Sequence, residues 1–170
     1  VFGGPGSQEM QGVVLGDLGL VAVGKDGTVW TSTDGVVWER VPADEPLAGA
    51  AHLGVVAGGP GLVVVGADWS GGDEDAAVWT SADGLSWERV PHDEAVFGGP
   101  GSQEMAAVAV GGPGLVAVGF DWSGGDEDAA VWASVDGLTW ERVTDDGSIF
   151  GGDGTQTMLG LAVVEGLGLV

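Results

Sequence analysis

Residues 58–90 read GGPGLVVVGADWSGGDEDAAVWTSADGLSWERV, and residues 111–143 read GGPGLVAVGFDWSGGDEDAAVWASVDGLTWERV. The offset is 53 residues, and the two copies differ at only five positions, 64, 67, 80, 82 and 86 in the first. A shorter version runs over residues 16–41 as GDLGLVAVGKDGTVWTSTDGVVWERV, and a fourth begins near Ile149 and continues to Val170. Repetition at this period means that one supersecondary unit is stacked several times, each copy covering a face its neighbour cannot bury alone.

Composition agrees with a strand-rich repeat. Apolar residues make up 44% of the 170 positions, enough for a core. The 35 glycines are too many for helices, where each costs about 1 kcal/mol relative to alanine. They lie beside valine runs without collagen order and read as turn residues between strands. Twenty-six acidic residues face four basic ones, Lys25, Arg40, Arg89 and Arg142, for a net charge of -22. That charge repels nucleic-acid phosphates, and no basic stripe offsets it, so a nucleic-acid partner is excluded. Membrane insertion is not expected, because no run of about 18 apolar residues occurs. Cysteine is absent, which removes disulfides and thiolate chemistry. No signal sequence is visible; an extracellular or cell-surface setting is the expectation. The chain begins and ends within repeated phrases, as a piece of a longer repetitive protein would.

Each unit resolves into four short strands. The first follows a methionine: MQGVVLG from Met10, MAAVAV from Met105 and MLGLAVV from Met158, with HLGVVA from His52 in the second unit. The second is a solid apolar run, LVAVG from Leu20, LVVVG from Leu62 and LVAVG from Leu115, suited to burial on both faces. The third carries Trp30, Trp79 or Trp132. The fourth is VWERV, SWERV or TWERV, with alternation placing Trp and Arg on one face. Asp-Gly pairs at 34–35, 83–84 and 136–137 join the last two strands, a strong hairpin signal.

Four-stranded units of roughly 40–50 residues are the blades of a β-propeller. The fold class is therefore all-β, a propeller of antiparallel blades, with the whole chain, residues 1–170, as one propeller segment. The units fall at about 10–43, 52–92, 105–145 and, in part, 158–170. A β-solenoid is the rival, but its repeats are usually shorter and lack these hairpins. Propellers close with about 4–8 blades, so the ring is expected to be completed by a longer chain or by homo-oligomerisation.

The third turn of each unit reads S-x-D-G-x-x-W: Ser32, Asp34, Gly35, Trp38; Ser81, Asp83, Gly84, Trp87; Ser134, Asp136, Gly137, Trp140. This resembles the Asp-box, or bacterial neuraminidase repeat, of sialidase-like propellers, in a form one residue shorter than the usual S-x-D-x-G-x-T-W. The resemblance implies that these residues are structural: the Asp bonds backbone amides of the turn and the Trp packs beneath it. Sialidase chemistry, also implied by the family, meets an obstacle in the residues. It needs a Tyr nucleophile and an arginine cluster, but the chain has no Tyr, and Arg40, Arg89 and Arg142 occupy equivalent positions on different blades. His52 and His92 lack a nucleophile context. The expectation is a non-catalytic member with no catalytic residues in this segment.

Function is then expected in the loops that vary between units. The second-to-third-strand loop is DWSGGDED in two units and the short Lys25-Asp26-Gly27 in the first. Asp68, Asp73, Asp75 and Asp121, Asp126, Asp128 are candidate Ca2+ ligands, since oxygen donors on a glycine-flexible loop suit a hard cation. A solvated acidic loop without any cofactor is the alternative. Trp69 and Trp122, beside those acceptors, are candidates for stacking on a sugar face; the alternative is that each folds back over its own blade. The link from one unit to the next repeats as VFGGPGSQEM at Val1 and Val96 and as IFGGDGTQTM at Ile149. Its Phe2, Phe97 and Phe150 are expected to plug the groove between blades, its Gln and Glu to bond exposed backbone, and His52 to be a packed residue. The reading is a binding or scaffolding propeller with an acidic loop face and an unknown protein or glycan ligand. A sugar-binding propeller, a fragment of a sialidase-like glycoside hydrolase and a self-assembling repeat are the alternatives.

Overall fold

The computed structural model describes residues 9–42, 47, 49–112, 114–144, 146–164 and 168–169. Three antiparallel four-stranded sheets follow one another along the chain. The first contains β1 (Met10–Gly16), β2 (Gly19–Gly24), β3 (Val29–Ser32) and β4 (Glu39–Arg40). The second contains β5 (Ala50–Gly58), β6 (Gly61–Asp68), β7 (Asp75–Ser81) and β8 (Glu88–Arg89). The third contains β9 (Gln103–Gly111), β10 (Gly114–Asp121), β11 (Asp128–Ser134) and β12 (Glu141–Arg142). In each sheet the strands lie in sequence order, the up-and-down meander of a propeller blade. A four-residue helix, α1 (Glu94–Phe97), sits in the link between the second and third blades.

The solid apolar runs are buried on both sides, as their composition requires. On β6, Val63 and Val65 join a core with Leu115, Ala117, Ala130 and Trp132 of the third blade. Leu62 and Val64 join a second core with Val21, Val23 and Val29 of the first. One strand thus serves two junctions by the two-residue period of its side chains. Trp79 and Trp132 are sealed into these cores, 2% and 0% exposed. Fully burying a side chain of this class contributes about 1.5–3 kcal/mol, so the junctions hold much of the fold's stability. Near the axis the first strands of adjacent blades come close. A Cβ on Gly54 would lie 3.3 Å from the Cα of Ala107, so a larger residue would push two blades apart.

Three expectations need correction. The fourth strand of each blade is two residues long, Glu-Arg, because the tryptophan before it belongs to the turn. The fourth unit does not pair from Met158. It forms only a small hairpin of β13 (Val163–Val164) and β14 (Gly168–Leu169) among the described residues. The buried Gln103 side chain bonds a carboxylate rather than exposed backbone, whereas Gln156 does reach backbone, at Asp153 O. The inter-blade plug is observed at Phe97, which is 4% exposed within the second-to-third-blade core. Trp132 Nε1 donates to the Val96 carbonyl at 2.7 Å and holds that link down. Phe150 is half-buried, and its carbonyl accepts from Ala129 N at 2.9 Å. Phe2 and the side chain of His52 lie outside the described residues.

Candidate functional site

The meander puts the β1–β2 and β3–β4 turns, and their equivalents, at one end of the blades. The β6–β7 and β10–β11 loops share the other end with the links between blades. The first end is uniform. In each blade the Ser hydroxyl donates to the Asp carboxylate at 3.2 Å and accepts from the Gly amide at 2.8–2.9 Å. The Asp carboxylate accepts from the next two turn amides: Val36 and Val37, Leu85 and Ser86, Leu138 and Thr139, all at 2.7–2.8 Å. The Trp indole returns to the Gly carbonyl at 3.0–3.3 Å. Gly84 has φ +74°, the left-handed region glycine enters without strain. The amides of Val37, Ser86 and Thr139, then those of Val36, Leu85 and Leu138, hold Asp34, Asp83 and Asp136 below the usual carboxylate range. All twelve Ser, Asp, Gly and Trp residues of the three turns therefore have local work.

The opposite end carries the acidic loops, and the candidate ligands there divide. Asp68 is 3% exposed; it pairs with Arg89 at 2.8 Å and accepts from Ser70 N at 2.6 Å. Asp121 is 6% exposed and pairs with Arg142. It also accepts from Gln103 Nε2 at 2.9 Å, Ser123 N at 2.8 Å and Ser123 Oγ at 3.0 Å. Burial pushes Asp121 up, but the donors of Gln103, Arg142 and Ser123 together outweigh it, and its carboxyl lies below the usual range. These two aspartates are loop anchors rather than free oxygen ligands. In both blades the Arg lies 21 residues after the Asp, on the fourth strand, two strands away in the sheet. In the first blade, which lacks the long loop, Arg40 reaches Thr28 Oγ1 instead, at 3.4 Å.

Asp73 is exposed, and Asp126 accepts from Gly154 N at 3.3 Å. Asp75 and Asp128 start β7 and β11, where each keeps one buried carboxylate oxygen, Oδ1, with no hydrogen-bond partner. Burial, and then the negative charge of Asp73, push Asp75 up. The acidic loops are also tied to the following blade through their main chains. Gln103 N donates to Glu74 O at 2.8 Å, and Gln156 N to Glu127 O at 2.7 Å.

Trp69 and Trp122 do not fold back. They are 57% and 50% exposed, whereas every other tryptophan is buried or half-buried. Their loops are nevertheless fixed: Trp122 N donates to Ser102 O at 2.8 Å, and Asp68 and Asp121 clamp the residues beside them. The result is two exposed indoles on anchored acidic loops of adjacent blades.

The family model of the DUF6242 beta propeller domain matches residues 20–150. Among solved structures the chain is similar to a putative glycoside hydrolase from Parabacteroides distasonis ATCC 8503, with 16% identity and a TM-score of 0.52. The likeness covers 84% of this chain and 52% of that one, so the chain spans about half the length of that structure. At this identity the likeness concerns the fold. No curated protein matches the sequence.

Proposed function

Since the chain belongs to the DUF6242 β-propeller domain family, we propose that it is a non-catalytic binding module whose loop-bearing end takes a neutral or cationic carbohydrate. The observation that carries this reading is the pair of exposed indoles, Trp69 and Trp122, on anchored loops beside acceptor carboxylates. An indole face packs on the C–H face of a pyranose while carboxylates accept from its hydroxyls. A chain of net charge -22 disfavours anionic sugars. The repeated Ser, Asp, Gly and Trp turns are read as Asp-boxes with a structural role. The absence of Tyr, and the engagement of Arg89 and Arg142 by Asp68 and Asp121, support a module without sialidase chemistry. In the broader form of this reading the ligand is a protein surface, and the module is a scaffold.

The test is a neutral-glycan array probed with wild type and with Trp69→Ala/Trp122→Ala. Binding by wild type that disappears in the double variant, with melting unchanged, is the expected result. Equal binding by both, or none by either, overturns the sugar reading. The likeness to a putative glycoside hydrolase suggests a second reading, a hydrolase whose catalytic residues lie outside residues 1–170. Hydrolysis of a model glycoside by the full-length protein would favour it.

A further inference from the structure

Outside the indole pair, one place on the loop-bearing end gathers metal-ligating chemistry of a different kind. Asp75 opens β7; His92 and Glu94 stand in the link that leaves β8. His92 Nε2 lies 3.9 Å from Asp75 Oδ2 and 3.1 Å from Glu94 Oε2, and one donor atom from each of the three lies within 4.8 Å of the others. Four-coordinate binding at about 2.1 Å from each ligand sets donor atoms roughly 3.4 Å apart. The two observed separations bracket that spacing, so only small side-chain movements would close the set around an ion.

A second observation points to a cation. Asp75 is buried, its side chain 8% exposed, and its Oδ1 has no hydrogen-bond partner. A buried carboxylate is costly unless a positive charge or donors compensate it. Asp68 and Asp121 solve this with Arg89 and Arg142. No Lys or Arg among the described residues pairs with Asp75, and its other oxygen lies 3.9 Å from the His92 imidazole. The link is well placed to hold the remaining ligands. Asp93 Oδ1 accepts from Ala95 N at 3.0 Å and caps α1, and buried Phe97 anchors that helix in the inter-blade core. His92 and Glu94 therefore leave the chain on either side of a fixed cap.

We propose that Asp75, His92 and Glu94 form a binding site for a borderline divalent cation of the Zn2+ class at the junction of the second and third blades. One imidazole with two carboxylates selects this class over Ca2+, which prefers six to eight oxygens. Three protein ligands leave one coordination position for water or a ligand group. The repeat supplies its own control. Asp128 is the counterpart of Asp75, with the same unpartnered buried Oδ1, but Gly147 stands where Glu94 does and the sequence has Asp145 at the place of His92. Among the described residues the site belongs to one junction. It does not depend on the sugar reading.

The test titrates the protein with ZnCl2 against a chromophoric chelator at physiological ionic strength, which screens loose attraction to the acidic surface. Co2+ is titrated in parallel and its visible absorption followed. One ion per chain is expected, with a Co2+ spectrum of low coordination number. His92→Ala and Asp75→Asn should each weaken binding by roughly tenfold or more, and Asp128→Asn should leave it unchanged. The His92 side chain is 28% exposed, so His92→Ala decides the matter if Asp75→Asn fails to fold. No binding by wild type, equal binding by His92→Ala, equal weakening by Asp128→Asn, or displacement of Zn2+ by excess Ca2+ would each overturn the proposal.

Discussion

Replacing Asp121 with Ala should destabilise the protein more than replacing Asp68, though the two aspartates occupy equivalent places. Each ends the second strand of its blade and each pairs with the arginine of the fourth. Removing either aspartate strands that arginine. Breaking a fully buried pair costs about 3–5 kcal/mol, but Arg89 and Arg142 are 32% and 28% exposed and can turn toward water. About 1–2 kcal/mol is the appropriate figure for the pair itself. Asp121 has one more partner. Across the ladder it faces Gln103, whose side chain is fully buried and donates to it at 2.9 Å, whereas Asp68 faces Ala50. Asp121→Ala leaves that amide unsatisfied, for a further loss of about 1–3 kcal/mol. The total is roughly 3 kcal/mol, against roughly 1–2 for Asp68→Ala. In a chain of this size 1 kcal/mol moves Tm by about 2–4 °C, so Asp121→Ala should lower it by roughly 10 °C. Differential scanning calorimetry of both variants measures the gap. Adding Gln103→Met to Asp121→Ala should recover part of the loss, since the orphaned amide is gone. Equal losses for the two aspartates, or no recovery in the double variant, would refute the reasoning.

Gly84→Ala should cost at least about 2 kcal/mol, combining the left-handed backbone penalty with crowding. The new Cβ would lie 2.7 Å from Val21 Cγ2 on the neighbouring blade, and urea denaturation reads the loss. Asp83→Asn should narrow the response to acid. The folded carboxyl of Asp83 lies below its unfolded range, so its stabilisation is present above the unfolded pKa of about 3.9 and is lost as pH falls through the folded value. The Tm difference between wild type and variant should therefore shrink as pH falls from about 5 to 2, and a constant difference would contradict the assignment.

The blades were legible because their signals are local. Leu62–Gly66 is apolar at every position and is buried on both faces, and each Asp-Gly pair closes the turn it announces. What the sequence concealed depends on register between strands. Nothing near Asp68 indicates that Arg89 will neutralise it, so the DWSGGDED loop read as a set of free oxygen donors. The same loop, once folded, has its first aspartate tied to an arginine and its glutamate carbonyl tied to the next blade. His92 was hidden for the same reason. Its companion Glu94 is two residues away, but Asp75 reaches it only through the fold. The exposure of Trp69 and Trp122 was also undetermined, because an indole in a glycine-rich loop can turn inward or outward with no change in pattern. The short fourth strand has a simpler cause: the tryptophan expected near its start is bonded back into the turn.

The alternation along β6 bears on how such a chain can change over time. Because odd positions face one neighbour and even positions the other, adding a single residue to the strand would exchange the two sets and spoil both junctions at once. Adding or removing a 53-residue unit disturbs neither, since each new boundary presents the surface the old one did. Blades of this kind are interchangeable parts: their number is free to drift by whole units while their interiors are held fixed. The links at the far end, held to the next blade mainly through their main chains, leave side chains free to differ, and there one copy carries an imidazole, His92, where its twin has Asp145.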